Sequence, residues 1–445
     1  MSPDPTQAQD TARHRLSPAR VLDVDPLLDD PKTRIVVCCG SGGVGKTTTA
    51  AALGLRAAER GRKVVVLTID PARRLAQSMG IDSLDNVPRR VKGTEGGGEL
   101  HAMMLDMKRT FDEVVEAHAD PQRAAAILSN PFYQSLSAGF AGTQEYMAME
   151  KLGQLRAKDE WDLIVVDTPP SRSALDFLDA PKRLGSFLDG RLIRLLTAPA
   201  KLGGRAGMAF LNVGMSMMTG TLGKLLGGQL LKDVQTFVAA MDTTFGGFRT
   251  RADATYKLLQ APGTAFLVVA APERDALREA AYFVERLAAE DMPLVGLVLN
   301  RVHGSGADGL SAERALAAAE NLEEPRIVDQ GGGKAGLRNS PDTHGSSEPS
   351  AAPDAAEPQQ QRAAESPTAD PSVDRLAEGL LRLHAERMQL LSREQRTRDR
   401  FTALHPEVAV VEVPALPGDV HDLAGLRGIG DRLAAGRPEL SQDRS

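Results

Sequence analysis

A glycine-rich segment that ends in a lysine and two threonines has the residue types and spacing of a phosphate site. Gly40-Ser41-Gly42-Gly43-Val44-Gly45-Lys46-Thr47 fits the pattern G-x-x-x-x-G-K-S/T. Glycines let backbone N–H groups surround a phosphate without a side-chain clash, and the helix expected to follow adds a partial positive charge. Lys46 is expected to contact the β- and γ-phosphates, Thr47 to ligate Mg²⁺, and Thr48 to contact the α-phosphate. The segment therefore predicts a site for ATP and Mg²⁺.

Two aspartates follow apolar runs and are expected to complete this site. Asp167 ends the run over residues 163–166 and is the acidic residue expected to hold Mg²⁺, directly or through water. Asp70 follows the run over residues 64–68, and a carboxylate at the carboxyl end of a neighbouring strand would face the γ-phosphate. The alternative for Asp70 is a turn residue that merely ends a strand.

Short apolar runs, rich in β-branched residues, are predicted to be the strands that position these side chains. They cover residues 34–39, 64–68, 163–166, 265–269, 294–299 and 408–413. Stretches of helical composition, such as 47–59 and 274–290, lie between several of them. This alternation predicts an α/β fold, a P-loop NTPase with a mostly parallel sheet flanked by helices, plus an inserted helical subdomain.

Changes in composition predict how the chain is divided. Residues 331–374 carry almost no large apolar side chains and are expected to be a disordered insert. The other predicted parts are a flexible tail over 1–32, the ATPase core over 33–185 and 261–330, a methionine-rich helical subdomain over 186–260, a helix with the last core strand over 375–430, and a tail over 431–445.

Composition excludes several classes of function. An apolar fraction of 42% and a charged fraction of 25% are those of an ordinary globular protein, and the net charge of −6 argues against broad nucleic-acid binding. Cys38 and Cys39 are adjacent and form no CxxC, so no zinc site is expected. The first thirty residues lack the pattern of a signal peptide, which favours a cytoplasmic protein, with a peripheral position at the membrane as an open alternative.

With the two aspartates placed, the sequence resembles the deviant-Walker ATPases of the ArsA/GET family, which comprises arsenite-pump ATPases and ATPases that target tail-anchored proteins. Asp70-Pro71-Ala72 resembles the family's switch I, with Asp70 at the position that polarises the attacking water. Asp167-Thr168-Pro169-Pro170-Ser171 resembles its switch II. The resemblance thus implies an ATP hydrolase in which Asp70 and Lys46 are catalytic.

The same resemblance continues through most of residues 34–426, in the family's order. Gly142-Thr143-Gln144-Glu145 is similar to its glycine–acid helix start, and Asn300-Arg301 resembles its adenine-contacting asparagine. Pro414-Ala415-Leu416-Pro417-Gly418-Asp419-Val420 resembles its proline-rich loop beside the base. Asn300, Arg301, Pro414 and Leu416 are therefore expected to contact the nucleotide.

Three departures from the family bear on the expected partners. Ser41 stands where the family has a lysine that reaches the other subunit's nucleotide, and Arg172-Ser173 replaces its Gly-His after switch II. The zinc-binding CxxC of the eukaryotic targeting branch is missing. A bacterial, actinobacterial-type branch and a heterodimer with a homologous, lysine-bearing ATPase subunit are expected, with a homodimer as the alternative. No cysteine cluster suited to As(III) or Sb(III) occurs.

A methionine-rich stretch carries apolar residues at alternating steps of three and four. The first stripe includes Met208, Leu211, Met215, Met218 and Leu222. Thioether side chains adapt to varied partners, which suits a groove for a hydrophobic or membrane-protein client. The alternatives are that the stripes pack on each other or on a partner subunit, or that residues 206–223 span a membrane, which their many small and polar residues disfavour.

Two other functions remain as alternatives. The first is a regulatory or pseudo-ATPase subunit that binds ATP and completes a paralogue's site, which Ser41 favours. The second is a MinD/ParA-like positioning switch, which would need a membrane helix or a basic DNA-binding face that the residues after 430 do not supply. A metabolic kinase is disfavoured further, because no acceptor site is visible.

Overall fold

The computed structural model describes residues 20–70, 74–131, 133–134, 143–169, 250–323 and 371–434. The chain separates into two compact units. Of the described residues, those up to 304 and those from 394 onward form one unit, and those between 305 and 393 form the other. All the predicted phosphate-site residues belong to the first unit.

Within the described part of the first unit, eight strands form one sheet. They are β1 (Ile35–Cys39), β2 (Lys63–Thr68), β3 (Arg89–Arg90), β4 (Glu99–Met104), β5 (Leu163–Asp167), β6 (Thr264–Ala270), β7 (Leu294–Val302) and β8 (Val410–Pro414). Their order is β3-β4-β2-β5-β1-β6-β7-β8. Every neighbouring pair is parallel except β3–β4, which is antiparallel. The predicted α/β fold with a mostly parallel sheet is confirmed.

Helices alternate with these strands along the chain. They are α1 (Asp25–Asp29), α2 (Lys46–Glu59), α3 (Arg74–Ser78), α4 (Met107–His118), α5 (Pro121–Leu128), α6 (Thr143–Lys158), α7 (Arg274–Ala289), α8 (Ala312–Glu323), α9 (Pro371–Leu404) and α10 (Leu423–Ala434). Residues 250–260 are also helical. In the second unit, His384 of α9 contacts the backbone oxygen of Leu310, just before α8, through Nε2 at 2.8 Å.

The sheet is covered on both faces. Alternate residues of β1 enter different apolar clusters, with Val37 and Cys39 on one face and Val36 and Cys38 on the other. This is the period-two alternation of a strand, and it keeps the two adjacent cysteines apart. Both are free and buried. The whole of β1 is therefore buried and paired on both sides, directly before the glycine-rich loop that follows it.

The predicted flexible tail over 1–32 is wrong for its described part. Leu22, Val24 and Leu28 are buried in the core, and Leu22 donates its backbone N–H to the oxygen of Val410 in β8 at 3.1 Å. Asp25 of α1 forms a bidentate ion pair with Arg56 of α2. Three buried apolar side chains and this ion pair hold residues 20–30 against the sheet.

The boundaries near the carboxyl terminus also differ from the predicted ones. The helix α9 begins at Pro371, so residues 371–374, assigned above to the disordered insert, are helical. The helix α10 continues to Ala434, with Leu433 buried, so the last tail begins later than residue 431. Residues 331–370 lie outside the described residues, and their disorder stays a prediction.

Hydropathy gives one further finding. Among the helices that the structure describes, none combines the length and apolar character needed to cross a membrane. The stretch 206–223 lies outside the residues to which this finding applies.

Candidate functional site

Sterics at two glycines explain why the loop between β1 and α2 is glycine-rich. At Gly40, a Cβ atom would lie 2.0 Å from the backbone oxygen of Val269 in β6. At Gly45, which has φ of 96°, a Cβ atom would lie 2.2 Å from Nδ2 of Asn300. The loop is thus packed directly against β6 and β7, and α2 begins at the residue after Gly45.

Lys46 opens α2 and folds back over the loop. Its Nζ donates to the backbone oxygen of Ser41 at 2.8 Å, and the residue is only 6% exposed. Burial lowers the pKa of Lys46, while the nearby Asp167 carboxylate opposes that effect. A cation at a helix N-terminus, beside a glycine loop, makes a site suited to an anion.

Asp167 ends β5 and accepts hydrogen bonds from hydroxyl groups of two other segments. Thr47 Oγ1 and Thr68 Oγ1 each donate to Asp167 Oδ2 at 2.8 Å. The sheet register causes this meeting, because Asp167 lies beside Cys38 of β1 on one side and beside Thr68 of β2 on the other. Burial raises the pKa of Asp167 to about 6, although both hydrogen bonds lower it.

This cluster fits a hard cation. Asp167 is fully buried, and its Oδ1 has no hydrogen-bond partner within the described part of the chain. Burying a carboxylate oxygen without a partner destabilises the folded state. Mg²⁺ prefers oxygen ligands, and a carboxylate and a threonine hydroxyl both supply them. The residues predicted to hold Mg²⁺, Thr47 and Asp167, are thus brought together by the fold.

Asp70 lies just beyond β2, next to this cluster. Its backbone N–H donates to Thr68 Oγ1 at 3.2 Å, and the N–H of Ile69 donates to the oxygen of Asp167 at 3.0 Å. The side chain of Gln144, near the start of α6, donates to the oxygen of Ile69 at 2.9 Å. The sequence placed Gln144 only by resemblance; the structure adds that α6 anchors the segment carrying Asp70.

A second part of the site is a cavity of about 670 Å³ beside the loop. Asn300 lies in its wall and donates through Nδ2 to the backbone oxygen of Val44 at 2.8 Å. Arg301 follows it with φ of 61°, a left-handed conformation that is uncommon outside glycine. Gly45, Thr48, Asn300, Arg301, Pro414 and Leu416 all line this cavity. Thr48, predicted beside the α-phosphate, therefore stands between the loop and the cavity.

Two residues of this wall were missed by the sequence reasoning. His303 and Glu394 form a pair 91 positions apart, with His303 Nδ1 2.6 Å from Glu394 Oε1. His303 lies three residues after Asn300, which is a weak signal for it. Nothing in the local sequence marks Glu394, which lies within the long helix α9.

Other predicted residues fall outside the described part of the chain. They include Arg172 and the stripe Met208, Leu211, Met215, Met218 and Leu222. The groove predicted from that stripe stays a prediction. Within the described residues, no group of three His, Cys, Asp or Glu side chains is placed to hold a metal ion.

Comparisons with known proteins agree with this geometry. A model of the anion-transporting ATPase family matches residues 33–315. ATPase GET3 of Malassezia globosa is 31% identical over 162 residues, which cover 36% of this chain and 46% of that protein. ATPase GET3 of Ajellomyces dermatitidis is 26% identical over 285 residues, covering 63% of this chain and 76% of that protein. ATPase GET3 of Podospora anserina is 26% identical over 300 residues, which cover 65% of this chain and 80% of that protein.

Proposed function

This chain belongs to the anion-transporting ATPase family, and from that premise we propose that it binds ATP with Mg²⁺ and hydrolyses it. The observation that carries the proposal is the convergence of Lys46, Thr47 and Asp167 where β1 and β5 end side by side. A buried cation and a hydroxyl at the start of α2, beside a buried carboxylate at the end of β5, match the needs of a metal-bound triphosphate.

The residues have separate roles in binding. Backbone N–H groups of the loop from Gly40 to Gly45 hold the β-phosphate, and Lys46 exchanges its bond to the Ser41 oxygen for the β- and γ-phosphates. Thr47 and Asp167 hold Mg²⁺, which when bound neutralises phosphate charge. The cavity walls formed by Asn300 and by the loop after Pro414 receive the base.

Hydrolysis is assigned to Asp70. Its carboxylate polarises a water whose oxygen forms a bond to the γ-phosphorus, while the bond from that phosphorus to the bridging oxygen breaks. The water protons end on the products and solvent, so ADP and phosphate are released. Gln144 supports this step as a positioning residue, because it holds the backbone one residue before Asp70.

Calorimetry of the purified chain tests the binding half of the proposal. Lys46→Ala is expected to lower Mg·ATP affinity roughly tenfold or more, because the bridging cation is lost. Lys63→Ala is the matched control, since Lys63 opens β2 at the opposite end of the sheet and should leave affinity unchanged. Equal affinity in the wild type and Lys46→Ala would refute the phosphate site.

Ser41 supports a proposal about assembly. In the resembled family this position carries the lysine that crosses to the other subunit, and a serine is too short and neutral to replace it. The Ser41 hydroxyl is buried without a hydrogen-bond partner in the described part of the chain. We propose a heterodimer in which a lysine-bearing relative supplies the missing cation.

Mixing the chain with such a relative and Mg·ATP, then measuring mass and ATPase rate, tests the assembly. A fully active homodimer of this chain alone would refute the heterodimer. A Ser41→Lys variant with unchanged rate and assembly would also refute it. The regulatory-subunit alternative predicts that the chain binds ATP yet turns it over only with its partner.

The client proposal rests on the sequence and the family resemblance. Nucleotide binding is proposed to align the stripe from Met208 to Leu222 into a groove for an apolar client. The double substitution Met215→Asp with Met218→Asp should abolish capture of an apolar peptide while ATP binding is kept. Cooperative loss of folding in that variant would instead indicate that the stripe is core.

A further inference from the structure

The wall of the cavity proposed to receive the base contains a histidine–carboxylate pair that the family resemblance does not account for. Glu394 of α9 is 9% exposed, and both of its carboxylate oxygens contact His303. Oε2 accepts from the His303 backbone N–H at 3.2 Å, and Oε1 lies 2.6 Å from His303 Nδ1. The carboxylate therefore holds both the backbone and the ring of His303.

The pair fixes which ring nitrogen is available to a ligand. A carboxylate can only accept, so the hydrogen of the short contact belongs to Nδ1 and Nε2 is left for other contacts. Asn300 is oriented in a similar way. Its Nδ2 donates to the Val44 oxygen, so its Oδ1 is the atom available to accept a hydrogen bond from a ligand. Both side chains line one cavity, so two oriented polar atoms belong to the same wall.

We propose that His303, held by Glu394, contacts the base of the bound nucleotide, and that together with Asn300 it favours adenine over guanine. With the Nδ1 hydrogen directed to Glu394 Oε1, His303 Nε2 and Asn300 Oδ1 are two acceptor atoms of this wall, and acceptors match the amino group of adenine. Guanine presents a carbonyl oxygen at the corresponding edge, and two acceptors facing each other leave both without a hydrogen. Glu394 is a positioning residue that acts through His303. This inference rests on the proposed ATP site.

The pair also connects the base to a distant part of the chain. Glu394 lies in the second half of α9, and four residues later Arg398 of the same helix pairs with Glu412 of β8 at 2.6 Å. Glu412 precedes Pro414, whose loop lines the cavity. Both His303 and Glu394 line the cavity, whereas neither Arg398 nor Glu412 does, so this second pair joins α9 to β8 outside the cavity lining.

Affinity for three ligands tests the proposal: ATP, GTP and inorganic triphosphate, which has no base. His303→Ala should lower ATP affinity roughly tenfold, the loss of one oriented hydrogen bond, and should reduce the preference for ATP over GTP. His303→Ala should not change the affinity for triphosphate, because triphosphate has no base and would contact only the phosphate loop. Glu394→Gln should cause a smaller loss, and the double variant should lose no more than His303→Ala alone.

Two further variants separate a contact from a structural role. Glu412→Gln breaks the neighbouring ion pair of α9 and should lower the melting temperature without changing ATP affinity. His303→Gln keeps a polar group of similar reach, should fold as the wild type does, and should recover part of the ATP affinity.

Three outcomes would overturn the proposal. They are unchanged ATP affinity in His303→Ala, a parallel loss of triphosphate affinity, or additive losses in the double variant. If the wild type bound neither ATP nor triphosphate, the ATP site itself would be refuted and this inference with it. Binding of triphosphate and ATP with no role for His303 would refute only the inference.

Discussion

The Thr47 hydroxyl donates to Oδ2 of Asp167 at 2.8 Å, which joins the first turn of α2 to the end of β5. These residues are 120 positions apart in the chain, and the parallel pairing of β1 with β5 is what brings them together. The contact leaves Asp167 Oδ1 without a hydrogen-bond partner in the described structure. One carboxylate oxygen thus accepts hydrogen bonds from protein hydroxyls, and the other is the one that we propose contacts Mg²⁺.

This relationship predicts a metal-specific defect for Thr47→Val, which keeps the shape but removes the hydroxyl. Affinity for Mg·ATP should fall roughly tenfold, because one metal ligand is lost, while affinity for ATP in EDTA should change little. Thr47→Ser restores the hydroxyl and should behave as the wild type. Equal losses with and without Mg²⁺, measured by calorimetry, would show that Thr47 acts on the loop and not on the metal.

Gly45→Ala should damage the base side of the site. The new Cβ would lie 2.2 Å from Asn300 Nδ2 and would displace the side chain that bonds Val44. We expect nucleotide affinity to fall roughly tenfold or more, since one oriented contact to the base is lost.

Gly61→Ala is the control for backbone strain. Gly61 has φ of 97°, nearly that of Gly45, but no heavy atom lies within 4 Å of its ideal Cβ. Both variants should lose stability by about 1 kcal/mol from the left-handed conformation. Only Gly45→Ala should also lose affinity, and a similar loss in Gly61→Ala would contradict the steric argument.

Asp25 provides a prediction about pH. Hydrogen bonding by Arg56 lowers the pKa of Asp25 below its ordinary value of 3.8, although burial opposes this. A lowered pKa in the folded state means that the ion pair stabilises the protein above about pH 4 and that this contribution is lost as the pH falls through the folded-state pKa. Thermal melts between pH 7 and pH 3 should show a smaller acid-induced decrease for Asp25→Asn.

The matched control for that series is Asp275→Asn. The Asp275 side chain is 87% exposed, so the melting temperature of Asp275→Asn should fall with pH as much as that of the wild type. An identical pH dependence in wild type, Asp25→Asn and Asp275→Asn would show that the Asp25–Arg56 pair does not stabilise the fold.

The strands around the phosphate loop could be predicted because their information is local. β1, β2, β5 and β6 are runs of β-branched and apolar residues that are buried on both faces, and the glycine motif marks the turn after β1. β4 was missed because its polar residues Glu99 and His101 alternate with buried ones and a glycine-rich segment precedes it. Such a strand resembles a loop in composition.

Contacts between distant segments could not be predicted from spacing. Thr68 as a second donor to Asp167 depends on β2 pairing with β5, and the pair of His303 with Glu394 depends on where α9 returns to the sheet. The N-terminal residues were misjudged for the same reason. Leu22, Val24 and Leu28 are too few for a clear pattern, and only the surface of the folded sheet gives them a place to be buried.

The central claim is that this chain hydrolyses ATP with Asp70 acting on water, and one variant tests it most directly. Asp70→Asn keeps the size of the side chain but removes its charge. Single-turnover hydrolysis and Mg·ATP affinity should be measured on the same preparation, with the partner subunit present if the wild type needs it. The account predicts a rate roughly a hundredfold or more lower with affinity nearly unchanged. Unchanged hydrolysis, or equal losses of rate and affinity, would contradict it.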